Sequence, residues 1–161
     1  MKKRILCLLL AVAMVCMVGM TGCAKRDNKK SKNTTITVSS VDAKVGKNVK
    51  VPVEISGNPG VMALLIDFTY DNKKLEYVGF DKGNVFSDYE INENDGTLRL
   101  ICVEDKDIKK DGKLLTLEFK VVSKDAGKTE VGVVLEDNSM CNYDEELIKA
   151  TGKNGTVKIK K

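Results

Sequence analysis

An all-β fold of antiparallel sheets is what this sequence predicts, and three observations predict it. From Thr34 onward, apolar residues return at every second position in run after run. That is the spacing at which a strand buries one face and leaves the other wet. Each run is short, and the gaps carry glycine, asparagine, aspartate or proline, the residues that turns require. No window of helical period competes; Tyr143 to Ile148 is the one stretch where a single helical turn is expected, within a loop. Many short strands separated by turn signals read as a β-sandwich or a barrel.

The elements follow in order. Ile36 and Val38 alternate with threonine and serine in the first strand. Val49, Val51, Val53 and Ile55 alternate with Lys50, Pro52 and Glu54, and a proline that cannot donate to a ladder predicts an edge position or a bulge. In the strand over residues 61–70, Met62, Leu64, Ile66, Phe68 and Tyr70 form the inward set, with Ala63, Leu65, Asp67 and Thr69 outward. Tyr89 and Ile91 alternate with Glu90 and Asn92; Leu98, Leu100 and Cys102 alternate with Arg99, Ile101 and Val103. Leu115, Leu117, Phe119 and Val121 follow, then Val131, Val133 and Leu135, and Val157 with Ile159 closes the pattern. Turns fall at Gly46, Gly57-Asn58-Pro59-Gly60, Asn94-Asp95-Gly96, Asp111-Gly112, Ala126-Gly127 and Asn154-Gly155. Asn94-Asp95-Gly96, between two alternating runs, is a hairpin signal because glycine there supplies a positive φ.

The N-terminus has a different character. Lys2, Lys3 and Arg4 precede an uncharged run from Ile5 to Val18, the form of an export signal. Cys23 follows Thr21-Gly22, and this junction resembles a bacterial lipoprotein signal, with Met20 where leucine is usual. The resemblance implies cleavage after residue 22, lipid on Cys23, a flexible basic tether over 23–33, and a working place on the extracellular face of the cell membrane. Plain secretion is the alternative. The signal carries three positive charges and residues 24–33 a net four, so the net +4 of the whole sequence leaves residues 34–161 at −3. That balance argues against nucleic acid, which needs a basic face to neutralise phosphates. Of five cysteines, Cys102 and Cys141 fall within the predicted domain. Export permits a disulfide between them, while the alternating apolar run around Cys102 suits a buried free thiol.

The order and wording of the strands resemble a cohesin domain. Val38 to Val53 resembles that family's opening strands, with a Lys-x-Gly turn before a valine-rich strand with an internal proline. Gly60 to Glu76, Leu98 to Asp105 and Gly155 to Ile159 resemble later segments in the right sequence order. The resemblance covers residues 34–161 and implies a nine-stranded sandwich of jelly-roll topology. It also implies a monomeric module that binds a dockerin, with calcium on the dockerin and no cofactor of its own.

The residues give an independent pointer to a site. An outward sandwich face is ordinarily polar, yet Ala63, Leu65, Ile101 and Val103 are outward and apolar. Exposing Leu, Ile or Val forgoes about 1.5–3 kcal/mol each relative to burial, and such a cluster with a charged rim is how interaction surfaces look. Asp67, Asn92, Arg99, Glu104 and Glu136 are the candidate rim residues. The competing reading has residues 136–150 covering these strands. Catalysis finds little support: without histidine, a Ser-His-Asp or Cys-His nucleophile is excluded, and the chain is read as a non-enzyme. Asp105, Asp107 and Asp111 lack calcium-loop spacing and read as a solvated loop. A carbohydrate-binding module is the rival from another class, and the absence of tryptophan counts against its stacking platform.

Overall fold

The computed structural model describes residues 33–161, in which twelve strands form and no helix does. They are β1 (Thr34–Val38), β2 (Val41–Lys44), β3 (Asn48–Ser56), β4 (Val61–Tyr70), β5 (Leu75–Lys82), β6 (Glu90–Asn94), β7 (Thr97–Ile108), β8 (Gly112–Val121), β9 (Gly127–Val134), β10 (Met140–Cys141), β11 (Ala150–Lys153) and β12 (Gly155–Lys160). One sheet has the order β11-β1-β3-β8-β5; the other runs β2-β12-β9-β4-β7-β6, with β10 also paired to β4. Twelve segments stand where the resemblance implies nine, and three of them, β2, β10 and β11, are four residues or shorter. The expected signal, Cys23 and all but the last residue of the tether lie outside the described residues.

The alternation becomes a core between the two sheets. Ile66, Phe68, Leu98, Leu100, Leu117 and Phe119 are fully buried. Phe119 sits 5.0 Å from the ring of Tyr70 in the facing sheet and 6.0 Å from that of Tyr77 on the neighbouring strand of its own sheet, so an aromatic contact joins the two layers. One phase expectation fails: Val61 is buried rather than Met62, because the β4–β7 register shifts between Val61 and Ala63. Two steps along β4, from Val61 to Ala63, face five along β7, from Ile108 to Val103, so three extra β7 residues break the ladder there and the alternation with it.

Pro52 is not on an edge strand. β3 lies between β1 and β8, and its bulge falls just after Pro52, between Val53 and Glu54. The Pro52 carbonyl accepts a hydrogen bond from Ser39 N at 2.8 Å, one residue past the end of β1. A strand residue directs its N–H and C=O to the same side, so the missing donor falls where the β1 ladder stops.

Asp95 and Gly96 form the two-residue turn between β6 and β7, with φ of 39° and 82°, the pair of positive values a type I′ hairpin demands. Residues 143–148 form no helical turn. Glu145 N donates to Asn142 O at 3.1 Å, Glu145 takes φ 61°, and Cys141 bridges antiparallel to Leu147, so the backbone closes a small hairpin instead.

The first two and the last two strands of the described residues change sheets. β1 pairs parallel with β11 in one sheet, and β2 pairs parallel with β12 in the other. The crossovers meet at Gly155, where an added Cβ would lie 2.6 Å from Ser39 O and 2.7 Å from Val38 Cγ1. Gly155→Ala should therefore lower stability by about 1–3 kcal/mol, the usual cost of overpacking; denaturant unfolding with a midpoint unchanged from wild type would contradict it.

Cys102 and Cys141 are free thiols. Cys102 is in register with buried Leu64 and Cys141 with Ala63, so their side chains leave opposite faces of the sheet. Burial, with a smaller contribution from Glu104, pushes the Cys102 thiol up to about 12. Alkylation without reductant should label Cys141 in the folded protein and Cys102 once the chain is denatured. If the denatured chain takes up no label at either cysteine and weighs two units less than its unlabelled reduced form, a disulfide joins them.

Candidate docking surface

The outward face is built by cross-strand register. Ala63 stands opposite Val103, Leu65 opposite Ile101, and Asp67 opposite Arg99, so the expected residues of β4 and β7 form three consecutive rows. On the far side of β7, Asn92 stands opposite Arg99 and Glu90 opposite Ile101. Directly opposed residues share a face, with Cβ atoms about 4.5–5.5 Å apart. Val103 is 57% exposed and Leu65 37%, while Ala63 and Ile101 are half-buried between them. Residues 136–150 do not cover this face. Met140 and Cys141 extend the sheet beside β4, where β10 pairs with Leu64 and Ala63 and Leu65 N donates to Ser139 O at 2.7 Å, and Ala150 begins β11 in the other sheet.

Asp67 and Arg99 are tied to each other. The guanidinium donates from Nε to Oδ1 at 2.8 Å and from Nη2 to Oδ2 at 2.7 Å. This two-point pair closes the apolar rows at one end and leaves the rest of the Arg99 side chain in water. The hydrogen bonds and charge of Arg99 hold the Asp67 carboxyl below its ordinary value, with partial burial pulling the other way. Asn92 is exposed and donates to Glu90 Oε1 at 3.0 Å. Glu136 is exposed at the turn after β9, whose Ser139 hydroxyl accepts from Glu136 N at 2.7 Å.

Glu104 departs from expectation. It follows Val103, so alternation turns it to the side of Cys102 rather than of the apolar rows. Its carboxylate accepts from the Ser87 hydroxyl at 2.8 Å and from Ser87 N, anchoring the loop that precedes β6. The Ser87 backbone bond, the largest influence, holds the Glu104 carboxyl below its ordinary range. Glu104 thus shapes the support of the surface and is not part of its rim.

Val134 was not anticipated. It ends β9 opposite Asp67, is 42% exposed, and adds an apolar side chain to the Asp67–Arg99 row. The alternation of Val131 and Val133 already implies that Val134 faces outward, an apolar residue at a wet position. The acidic loop residues have structural roles. Asp111 accepts from Gly57 N at 3.1 Å and Asn58 N at 2.8 Å, and Asp107 accepts from Tyr143 N at 2.7 Å.

The aromatic inventory bears on the carbohydrate reading. Phe68, Phe86, Phe119, Tyr70 and Tyr89 are buried, while Tyr77 and Phe80 stand in register with inward Phe119 and Leu117. Tyr143, on a loop, is the one aromatic side chain that is largely exposed, so no row of rings presents itself to a sugar on the outward face.

Because the folded value for Asp67 is depressed, its contribution is fully present above the unfolded value and is lost as pH falls through the folded one. Asp67→Asn should lower the melting temperature by a few degrees at most at neutral pH, as exposed pairs do. The gap to wild type should narrow as pH drops below the ordinary aspartate range. A gap that widens toward acid would contradict the pairing.

Comparison with known proteins gives a consistent picture. A model of the cohesin domain family matches residues 34–159. Cellulose-binding protein A of Clostridium cellulovorans is 30% identical over 98 residues, which is 56% of this chain and 5% of that protein. The chain therefore spans a small fraction of that relative's length. The sixth cohesin of scaffoldin B from Acetivibrio cellulolyticus, solved in complex with a mutant Cel5 dockerin, superposes with a TM-score of 0.72 at 26% identity, covering 80% of this chain and 99% of that one. A non-cellulosomal cohesin from the archaeon Archaeoglobus fulgidus shares the fold, with a TM-score of 0.71 at 21% identity over 80% of this chain and 92% of its own. The cohesin is a non-catalytic module, in agreement with the reading of this chain as a non-enzyme. With its two-sheet sandwich and a family match over nearly all described residues, the chain belongs to the cohesin family.

Proposed function

We propose that this protein captures a dockerin module on the outward face of β4 and β7, and that lipid on Cys23 holds it at the extracellular face of the cell membrane. It would so attach dockerin-bearing proteins, polysaccharide-degrading enzymes foremost, to the cell. The observation that carries the reading is the pair of outward apolar rows, Leu65 with Ile101 and Ala63 with Val103, in a member of the cohesin family. A related cohesin in complex with a dockerin supports the choice of partner. Calcium belongs to the dockerin in this reading; the cohesin side is monomeric and uses apolar contact and hydrogen bonds.

Apolar anchors at the centre of a small surface dominate binding, and charged neighbours tune its specificity. Leu65→Asp or Ile101→Asp places an unpaired charge in a desolvated contact. Either should weaken dockerin binding by at least about thirtyfold, the loss of a hot spot of about 2 kcal/mol. Because Leu65 is partly exposed, its replacement should leave the melting temperature close to wild type. A folded Leu65→Asp variant that binds dockerin normally would show that the face is elsewhere. Chelation should abolish binding while the melting curve of this protein stays in place.

The anchor is tested separately. Cys23→Ala should release the protein from membranes or leave the precursor unprocessed, since stable anchoring requires lipid. Normal processing with full membrane retention would end the lipoprotein reading.

A further inference from the structure

The apolar surface does not stop at β4. Cys141 of β10 stands opposite Ala63, and Leu147 stands opposite Cys141, so Leu147, Cys141, Ala63 and Val103 make one continuous row on the same face. Its outer end is the least buried: Leu147 is 61% exposed and its loop neighbour Tyr143 62%. Large apolar side chains at that exposure forgo the free energy of burial unless something covers them. The hairpin that carries them is held in place. Asn142 N donates to Glu146 O at 3.1 Å, Asn142 Oδ1 accepts from Glu146 N at 2.8 Å, Tyr143 N donates to Asp107 Oδ1 at 2.7 Å, and Ile148 N donates to Met140 O at 2.9 Å.

Acidic residues share the hairpin with the pair. Asp107, Asp144, Glu145 and Glu146 lie on or against the hairpin, and none forms an ion pair among the described residues. A surface of apolar residues rimmed by unpaired carboxylates complements one that is apolar with basic neighbours.

We infer that the docking surface continues across β10 onto the 142–147 hairpin, where Tyr143 and Leu147 give the dockerin a second apolar anchor flanked by acidic groups. This rests on the dockerin-binding reading above. The partner surface that reaches the hairpin carries an apolar side chain beside lysine or arginine, and a pre-formed hairpin receives it without the ordering cost of a loose loop.

Cys141 is a natural reporter, since it lies midway along the row and its thiol is free. The probes are calcium-loaded dockerin modules from the same organism's exported proteins, each titrated against the intact protein. Saturation with a binding dockerin should slow alkylation of Cys141, read by peptide mass mapping, by about tenfold or more. Leu147→Asp and Tyr143→Ala should each weaken that dockerin by about tenfold, with melting temperatures unchanged. Suppose instead that a dockerin depends on Leu65 yet leaves Cys141 labelling unslowed and both variants within about twofold of wild type. The extension is then wrong while the docking reading stands. If none of the dockerins binds, both fall. The labelling arm uses the unaltered protein, so it decides the matter even if a variant fails to fold.

Discussion

The register in which Ala63 to Thr69 of β4 pairs with Thr97 to Val103 of β7 is the constraint on which the rest of this molecule depends. It places Leu64, Ile66 and Phe68 against Cys102, Leu100 and Leu98 on one face, and Ala63, Leu65 and Asp67 against Val103, Ile101 and Arg99 on the other. A slip of one residue would exchange the two sets. Each buried leucine or isoleucine moved into water costs about 1.5–3 kcal/mol, and a domain has only about 5–15 kcal/mol of net stability. Slipping even this one strand pair would exhaust it. The apolar outward rows are therefore tolerated because a stronger inward set fixes the register.

Other features guard the same arrangement from its ends. The Asp95-Gly96 turn sets the register of β6 against β7, and so where Asn92 and Glu90 stand beside Arg99 and Ile101. The Asp67–Arg99 pair bonds β4 to β7 on the wet side. At the opposite layer, Phe119 ties β8 to Tyr70 at the end of β4. The crossover at Gly155 ties the first and last strands of the described residues into the two sheets, so the surface rests on a scaffold without loose terminal strands among them.

Much of this was legible in the sequence, and the reason is the exact period of two. Alternation assigned the inward sets of β7, of β8 and of β4 from Leu64 onward correctly, and the outward sets that follow from them gave the paired rows of the candidate surface. What failed lies where that period breaks or where partners are distant in the chain. The bulge after Val61 moved Met62 out of the core, and Glu104 was placed on the rim by its neighbourhood rather than its phase. Pro52 read as an edge residue or a bulge; β3 is interior and a bulge does follow Val53, but nothing local says that β1 ends beside Pro52. The hairpin at Tyr143 and Leu147 was invisible for a similar reason. A two-residue strand has no readable period, and its position depends on pairing with residues some eighty positions earlier.

Cohesin membership and the exposed rows of β4 and β7 point to one account: a rigid sandwich that presents an apolar sheet face, edged by charge, to a dockerin. Its most direct test is a map of backbone amide shifts of the folded domain on addition of a calcium-loaded dockerin. The account predicts perturbations concentrated on β4 and β7, with β1, β3 and β8 unchanged. Perturbations centred on the sheet of β1, β3 and β8, with β4 and β7 silent, would contradict it.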